Sequence, residues 1–250
     1  MDVKKLKHLI AFVILLQTVA QATPMDNGPY SPAEERPPAV SLRKLEFTKQ
    51  TEETGFYRIA DAQTEIRIFY KEFEGLYLEL IRAGQIRFPK SRMCPSGMLN
   101  YGSAYQADLN QDGQPDYVLA YETGGNGITP VYVIFLLSTG EGYSLTTTTS
   151  YFDQTDFIFV GGKPRMIYST FRQIEKCKDG KEHTFWIYNL LAFEKGEVKI
   201  DNTGAAIFPK VVWYSDAPNY RDTTLLKPEQ KAELIRHSQT GWREKLTLSE

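Results

Sequence analysis

One stretch constrains the chain more than any other: Asp108-Leu-Asn110-Gln-Asp112-Gly113-Gln114-Pro115-Asp116, followed at once by Tyr117-Val-Leu-Ala-Tyr121. Oxygen-bearing side chains recur at alternate positions, Asp108, Asn110 and Asp112, and Gly113 permits a sharp backbone turn. Asp, Asn and Gly also favour turns for backbone reasons, so a hairpin turn without a metal is the competing reading. The apolar run behind it begins a strand. The spacing also gathers oxygen atoms, the donors that a hard cation takes in sets of about six to eight. Asp108, Asn110, Asp112 and Asp116 offer side-chain oxygens, Asp116 directly or through a water. Gln114 offers its carbonyl. Bound calcium (Ca2+) in a structural role is the expectation.

The loop resembles the FG-GAP/VCBS-type, integrin-alpha-like calcium loop, whose pattern is D-x-[DN]-x-D-G-x-x-D ahead of a short apolar strand. The resemblance covers Asp108 to Asp116 and the strand from Tyr117 to Ala120. It implies the same five metal ligands: Asp108, Asn110, Asp112, Gln114 and Asp116. The Phe-Gly and Gly-Ala-Pro elements that name that repeat are absent, and the sequence holds a single copy. An EF-hand fits less well, because its twelfth position needs a bidentate Glu and Leu119 stands there.

The first 22 residues read as a secretory signal peptide. Lys4, Lys5 and Lys7 precede the apolar run Leu9 to Leu16, and Val19-Ala-Gln-Ala22 is a small-x-small cleavage site. Export to a periplasmic or extracellular space follows, with no stable membrane span once the signal is removed. Residues 23–43, with Pro24, Pro29, Pro32, Pro37 and Pro38, read as a disordered or extended linker. Residues 44–250 are then one domain. Only Cys94 and Cys177 are present. In an exported chain such a pair reads as one disulfide. The formal net charge of −2 carries no electrostatic footprint for nucleic acid.

The spacing of Ile66, Phe69, Tyr70, Phe73, Leu76, Tyr77, Leu80 and Ile81 predicts an amphipathic helix. Its polar face would hold Arg67, Lys71, Glu72, Glu74, Glu79 and Arg82, with Asp61 as N-cap and Gly84 past its end. A hairpin turning at Glu74-Gly75 is the competing reading. Strands are expected over 116–121, 131–137, 143–149, 157–160, 166–171, 185–193, 198–200 and 208–214, joined by Gly-containing turns. Pro228 to His237 reads as a short helix with Leu234 and Ile235 facing inward. The fold class is therefore α+β: an antiparallel β-meander sheet with an N-terminal amphipathic helix packed on it and a short C-terminal helix. A partial β-propeller is the alternative.

No catalytic constellation emerges. His183 and His237 stand outside metal-ligand spacing, and the sequence has no G-x-S-x-G. Thr123-Gly-Gly-Asn-Gly127 lacks the Lys of a phosphate loop and reads as a flexible loop, with Glu122 or Asn126 available to complete the cation's ligands. Glu122, Asp153, Asp156 and Glu175 are the carboxylates from which a glycoside-hydrolysing pair could be drawn. The function expected is an exported, calcium-stabilised, non-enzymatic protein with a binding or envelope role toward a protein or glycan ligand. A calcium-stabilised hydrolase acting on polysaccharide or another extracellular substrate is the alternative.

The export reading makes a direct prediction. The mature protein begins at Thr23, and intact mass of exported material should lack residues 1–22; a mass that retains them refutes cleavage.

Overall fold

A computed structural model describes residues 29–30, 35–46, 48–51, 56–60, 63–71, 75–94, 102–122, 130–174, 176–213 and 223–240. The strands form three antiparallel five-stranded sheets. The first sheet runs in chain order through β2 (Thr48–Thr51), β3 (Phe56–Ala60), β4 (Thr64–Lys71), β5 (Gly75–Arg82) and β6 (Gln85–Cys94). The second joins β1 (Arg43–Leu45) to β7 (Gly102–Ala107), β8 (Asp116–Glu122), β9 (Val131–Ser138) and β10 (Tyr143–Ser150). The third contains β11 (Phe157–Val160), β12 (Lys163–Ile174), β13 (His183–Glu194) and β14 (Glu197–Ile200), with β15 (Lys210–Trp213) also paired to β13. The α-helix among the described residues is α1, Pro228–Thr240. No helix among the described residues is long and apolar enough to cross a membrane.

The expected N-terminal helix is absent, and the α+β assignment is corrected to a mostly antiparallel β structure with a helix near the C-terminus. Its residues form the hairpin β4–β5, in which Ile66 faces Leu80, Ile68 faces Leu78 and Tyr70 faces Leu76. Burial follows a period of two: Ile66, Ile68, Leu76, Leu78 and Leu80 are all within 1 % of complete burial. The intervening residues look outward, where Arg67 pairs with Glu79 at 3.3 Å and with Glu65 at 2.8 Å. Lys90 lies 4.0 Å from the centre of the Phe69 ring and 5.9 Å from that of Tyr77. The helical stripe skipped Ile68 and Leu78, which the core uses, and enlisted Phe69 and Tyr77 from the other face. Gly84 (φ 75°) follows Ala83 (φ 51°) in the β5–β6 turn instead of ending a helix. Asp61, Glu72, Phe73 and Glu74 lie outside the described residues.

The second sheet lies between the other two. Tyr117, Leu119, Tyr121, Ile134 and Leu136 pack toward the first sheet with Ile66, Ile68, Leu76, Leu78 and Leu80. Val118, Val133, Phe135 and Leu137 pack toward the third with Phe157, Met166, Tyr168, Leu191 and Phe193. Covered on both faces, β8 and β9 need apolar residues at successive positions, so their sequences read as continuous apolar runs and not as alternation. The third sheet buries Trp186, Tyr188 and Leu190 on its outer face beside Phe208 and Val212. Farther along β13, Phe185 and Ile187 lie under Leu226 and Leu234 of the α1 region. Consecutive meanders stacked face to face are also how propeller blades pack.

Part of the stretch expected as linker belongs to this structure. Ala39 bridges Ile158, the Val40 N–H donates to the Phe157 carbonyl at 2.9 Å, and Val40 is buried. The residues before Pro29 lie outside the described ones, the signal segment among them.

Leu78 separates the two readings of this region. The helical stripe leaves it off the core face, whereas in the hairpin it is fully buried. Leu78→Ala should therefore cost about 2–5 kcal/mol, read as a lowered urea midpoint with an unchanged slope. A loss below about 0.5 kcal/mol, the usual surface value, contradicts the hairpin.

Candidate functional site

The loop 108–116 connects β7 to β8, and its shape is held by its own side chains. Asp116 is completely buried. Its Oδ2 accepts the N–H of Leu109 at 2.7 Å and of Asn110 at 3.2 Å, and its Oδ1 accepts the N–H of Ser138 at 2.7 Å. Asp108 accepts the Asp112 N–H through Oδ1 and the Gly113 N–H through Oδ2, both at 3.0 Å. Asn110 Oδ1 accepts the Asp112 N–H at 3.1 Å, and Asp112 Oδ1 accepts the Gln114 N–H at 2.7 Å. These are the Asx bonds that Asp and Asn make to backbone two or more residues on. Gln111 (φ 60°) and Gly113 (φ 79°) supply the left-handed positions that close the turn.

The turn from β9 to β10 closes one side of the loop. The Ser138 hydroxyl donates to Asp112 Oδ2 at 2.6 Å, and the Asn110 amide donates to the Ser138 carbonyl at 3.0 Å. Neighbouring sheets reach the loop as well. Arg82, at the end of β5, donates to Gln114 Oε1 at 2.7 Å, and Gln111 donates to the Gly162 carbonyl of the β11–β12 turn at 3.0 Å.

Burial pushes the Asp116 carboxyl up to about 6; the Ser138, Leu109 and Asn110 N–H groups and the Ser138 hydroxyl pull it back toward the ionised form. The donors gathered here are oxygens alone, the set suited to a hard cation and unsuited to zinc or copper. Asp108, Asp112 and Gln114 are exposed and Asn110 is half-buried, while Asp116 is buried. Among the described residues, no three His, Cys, Asp or Glu side chains converge as a metal-binding group. The expected ligand set is completed by an amide and a carbonyl.

The other candidates separate. Glu122 and Cys94 end β8 and β6, but their side chains, and all of Asn126 and Glu175, lie outside the described residues. Cys177 is buried beneath Leu226 and Leu234. His183 pairs with Asp179 at 2.7 Å, and His237 pairs with Glu233 at 2.6 Å on α1. Asp153 and Asp156 serve a turn: Asp153 Oδ1 accepts the Thr155 N–H at 2.7 Å, and Asp156 Oδ2 accepts the Asp153 N–H at 2.8 Å. This reciprocal capping box heads the short 3₁₀ turn before β11, which Arg36 also clamps through the Thr155 carbonyl. The sequence signal that was passed over is Asp-x-x-Asp at a turn.

No protein-family model, curated protein or solved structure matches this chain.

The capping carboxylates give a pH prediction. Burial, followed by the charge of Asp153, raises Asp156 to about 7, against the Asp153 N–H and Arg36. Its folded pKa lies above the ordinary carboxyl value of 3.8, so the folded state holds the proton more tightly. That contribution is full below about pH 4 and is lost as pH rises through about 7. Asp156→Asn keeps an oxygen acceptor for the Asp153 N–H and removes the titration. Its melting temperature should fall less than wild type's between pH 4 and 7; parallel curves contradict the assignment.

Proposed function

We propose that this chain is an exported, calcium-stabilised protein with a non-enzymatic binding or envelope role, and that the 108–116 loop is its cation site. One observation carries the reading: an oxygen-only loop of Asp108, Asn110, Asp112 and Gln114 over Asp116, fixed to the middle sheet through the Ser138 N–H. Asp108 and Asp112 would supply charge, Asn110 and the Gln114 carbonyl neutral oxygens, and Asp116 a further carboxylate directly or through water. The cation's role is structural. It offsets the repulsion among three carboxylates held within nine residues and adds no reaction chemistry.

Two further features of the proposal rest on sequence. The signal segment sends the chain to the periplasm or exterior. There the Cys94–Cys177 pair would close residues 94–177 into one loop, an entropic gain on the order of 4–5 kcal/mol before strain. Thiol counting on denatured, unreduced protein tests that bridge; two free thiols refute it.

Because a cation binds the folded loop, stability should rise as RT ln(1 + [L]/Kd). Extracellular calcium modules bind at about 10⁻⁴–10⁻³ M, so millimolar calcium should add roughly 0.4–1.4 kcal/mol. Thermal melting in chelator and in a calcium series, with magnesium as control, reads this directly. Asp112→Ala should lose most of the gain and Asp153→Ala none of it. Identical melting of wild type with and without calcium, together with no heat of binding, shows the loop to be only a turn.

A further inference from the structure

The end of the middle sheet away from the cation loop borders a cleft of about 440 Å³, within the range of small-molecule sites. The strand register fixes this placement. Ser138 and Tyr143 pair at the loop end of β9–β10, whereas Val131 and Ser150 pair at the other, beside Pro130 and Thr149 of the cleft. One wall is β12 from Tyr168 to Arg172, and the other is the last two turns of α1, with Leu234, His237, Ser238 and Thr240.

The two walls are held apart by chemistry already satisfied. Asn189 of β13, fully buried, donates to the Ser238 hydroxyl at 2.8 Å and accepts from Asn202 at 3.1 Å. Ser238 in turn donates to the Ile235 carbonyl at 2.7 Å. This buried network pins α1 to the third sheet at a fixed spacing, so the concavity belongs to the fold. Its floor is apolar, with Tyr168 nearly buried and Ile187 and Leu234 buried beside it.

Charge on the rim is one-sided. Among the described lining residues none is acidic, while Arg172 and His237 are both present. His237 is engaged by Glu233, 2.6 Å away. Arg172 is exposed and has no ion pair or hydrogen bond among the described residues, and the Thr149 hydroxyl also has none. A guanidinium offers five N–H donors in a fork that matches carboxylate, sulfonate or phosphate oxygens. An apolar floor and one uncommitted guanidinium select a ligand with a ring or short hydrocarbon body and one anionic group.

We infer that this cleft binds a small amphiphilic anion, with Arg172 holding the anionic group and Tyr168, Ile187 and Leu234 receiving the apolar body. The inference stands apart from the cation reading, since neither Arg172 nor the cleft touches the 108–116 loop, and each can fail alone.

The probe is anilinonaphthalene sulfonate, a ring system with one anionic group, titrated into the full-length mature chain while its fluorescence is followed. The neutral N-phenylnaphthylamine serves as the uncharged comparison. Saturable one-site binding of the sulfonate is expected. Arg172→Gln should weaken it roughly ten-fold, as for loss of a charge-assisted hydrogen bond. Leu234→Trp, which fills the floor, should block both probes. Arg67→Gln, on the first sheet, should change neither. Cooperative melting of each variant confirms that it is folded. Absence of saturable binding overturns the inference. So does a sulfonate affinity that Arg172→Gln leaves unchanged, or equal binding of the neutral probe that survives Leu234→Trp.

Discussion

The Asp116 carboxylate is the interaction on which the rest of the structure most depends. It is fully buried, and its two oxygens take the N–H groups of Leu109, Asn110 and Ser138. Those three donors come from the start of the loop and from the far end of β9. Without an acceptor each would be an unsatisfied buried group, costing about 1–3 kcal/mol. One side chain therefore fixes where β7 stops, where β8 begins and where β9 ends. Burial opposes its ionisation and outweighs the three N–H groups that favour it, so the carboxyl is raised to about 6.

The middle sheet transmits this constraint. β8 and β9 bury residues on both faces, so a register slip of one residue would exchange the side chains facing the first and third sheets. Tyr117, Leu119 and Tyr121 would trade places with Val118 and Ala120, which differ greatly in volume. Close packing makes such an exchange costly. The Asp116 bonds pin the register at the point where both strands meet the loop. Arg82 and Gln111 then extend the same junction to the first and third sheets.

What was legible in the sequence divides along this junction. From Asp116 to Ile200 the strands fall within a few residues of the expected spans, because Gly-containing turns punctuate short apolar runs. The loop's shape was legible too, since Asp, Asn and Gly at those spacings have few alternatives. Residues 66–81 misled because two periodicities were superposed. Outward-facing Phe69 and Tyr77 cover Lys90 on a sheet face, and their apolar character imitates one stripe of a helix. The strict alternation of Ile66 and Ile68, then Leu76, Leu78 and Leu80, was the stronger signal, and Arg67 opposite Glu79 was its polar counterpart. The number of sheets was not legible, because runs such as Val131 to Leu137 state that both faces are covered without saying by what. The cleft was equally hidden: Arg172 and Leu234 are 62 positions apart in sequence and meet only because Asn189 and Ser238 join their elements.

The hydrogen bonds of the loop also limit how much a cation can add. In many metal-dependent folds the ligands have no shape until the ion arrives, and binding energy becomes folding energy. Here the backbone N–H groups of Leu109, Asn110, Asp112, Gly113 and Gln114 are already accepted by loop side chains. These bonds give the turn its shape from within the chain, so on the proposed reading calcium would only relieve the repulsion between the exposed Asp108 and Asp112 above the buried Asp116. Relief of like charges at an exposed rim is a modest effect. It is also local, and its consequence reaches farther only because the junction couples the loop to all three sheets. A cation bound as proposed would act as a staple on a preformed corner, and the expected gain is correspondingly a small fraction of the total stability.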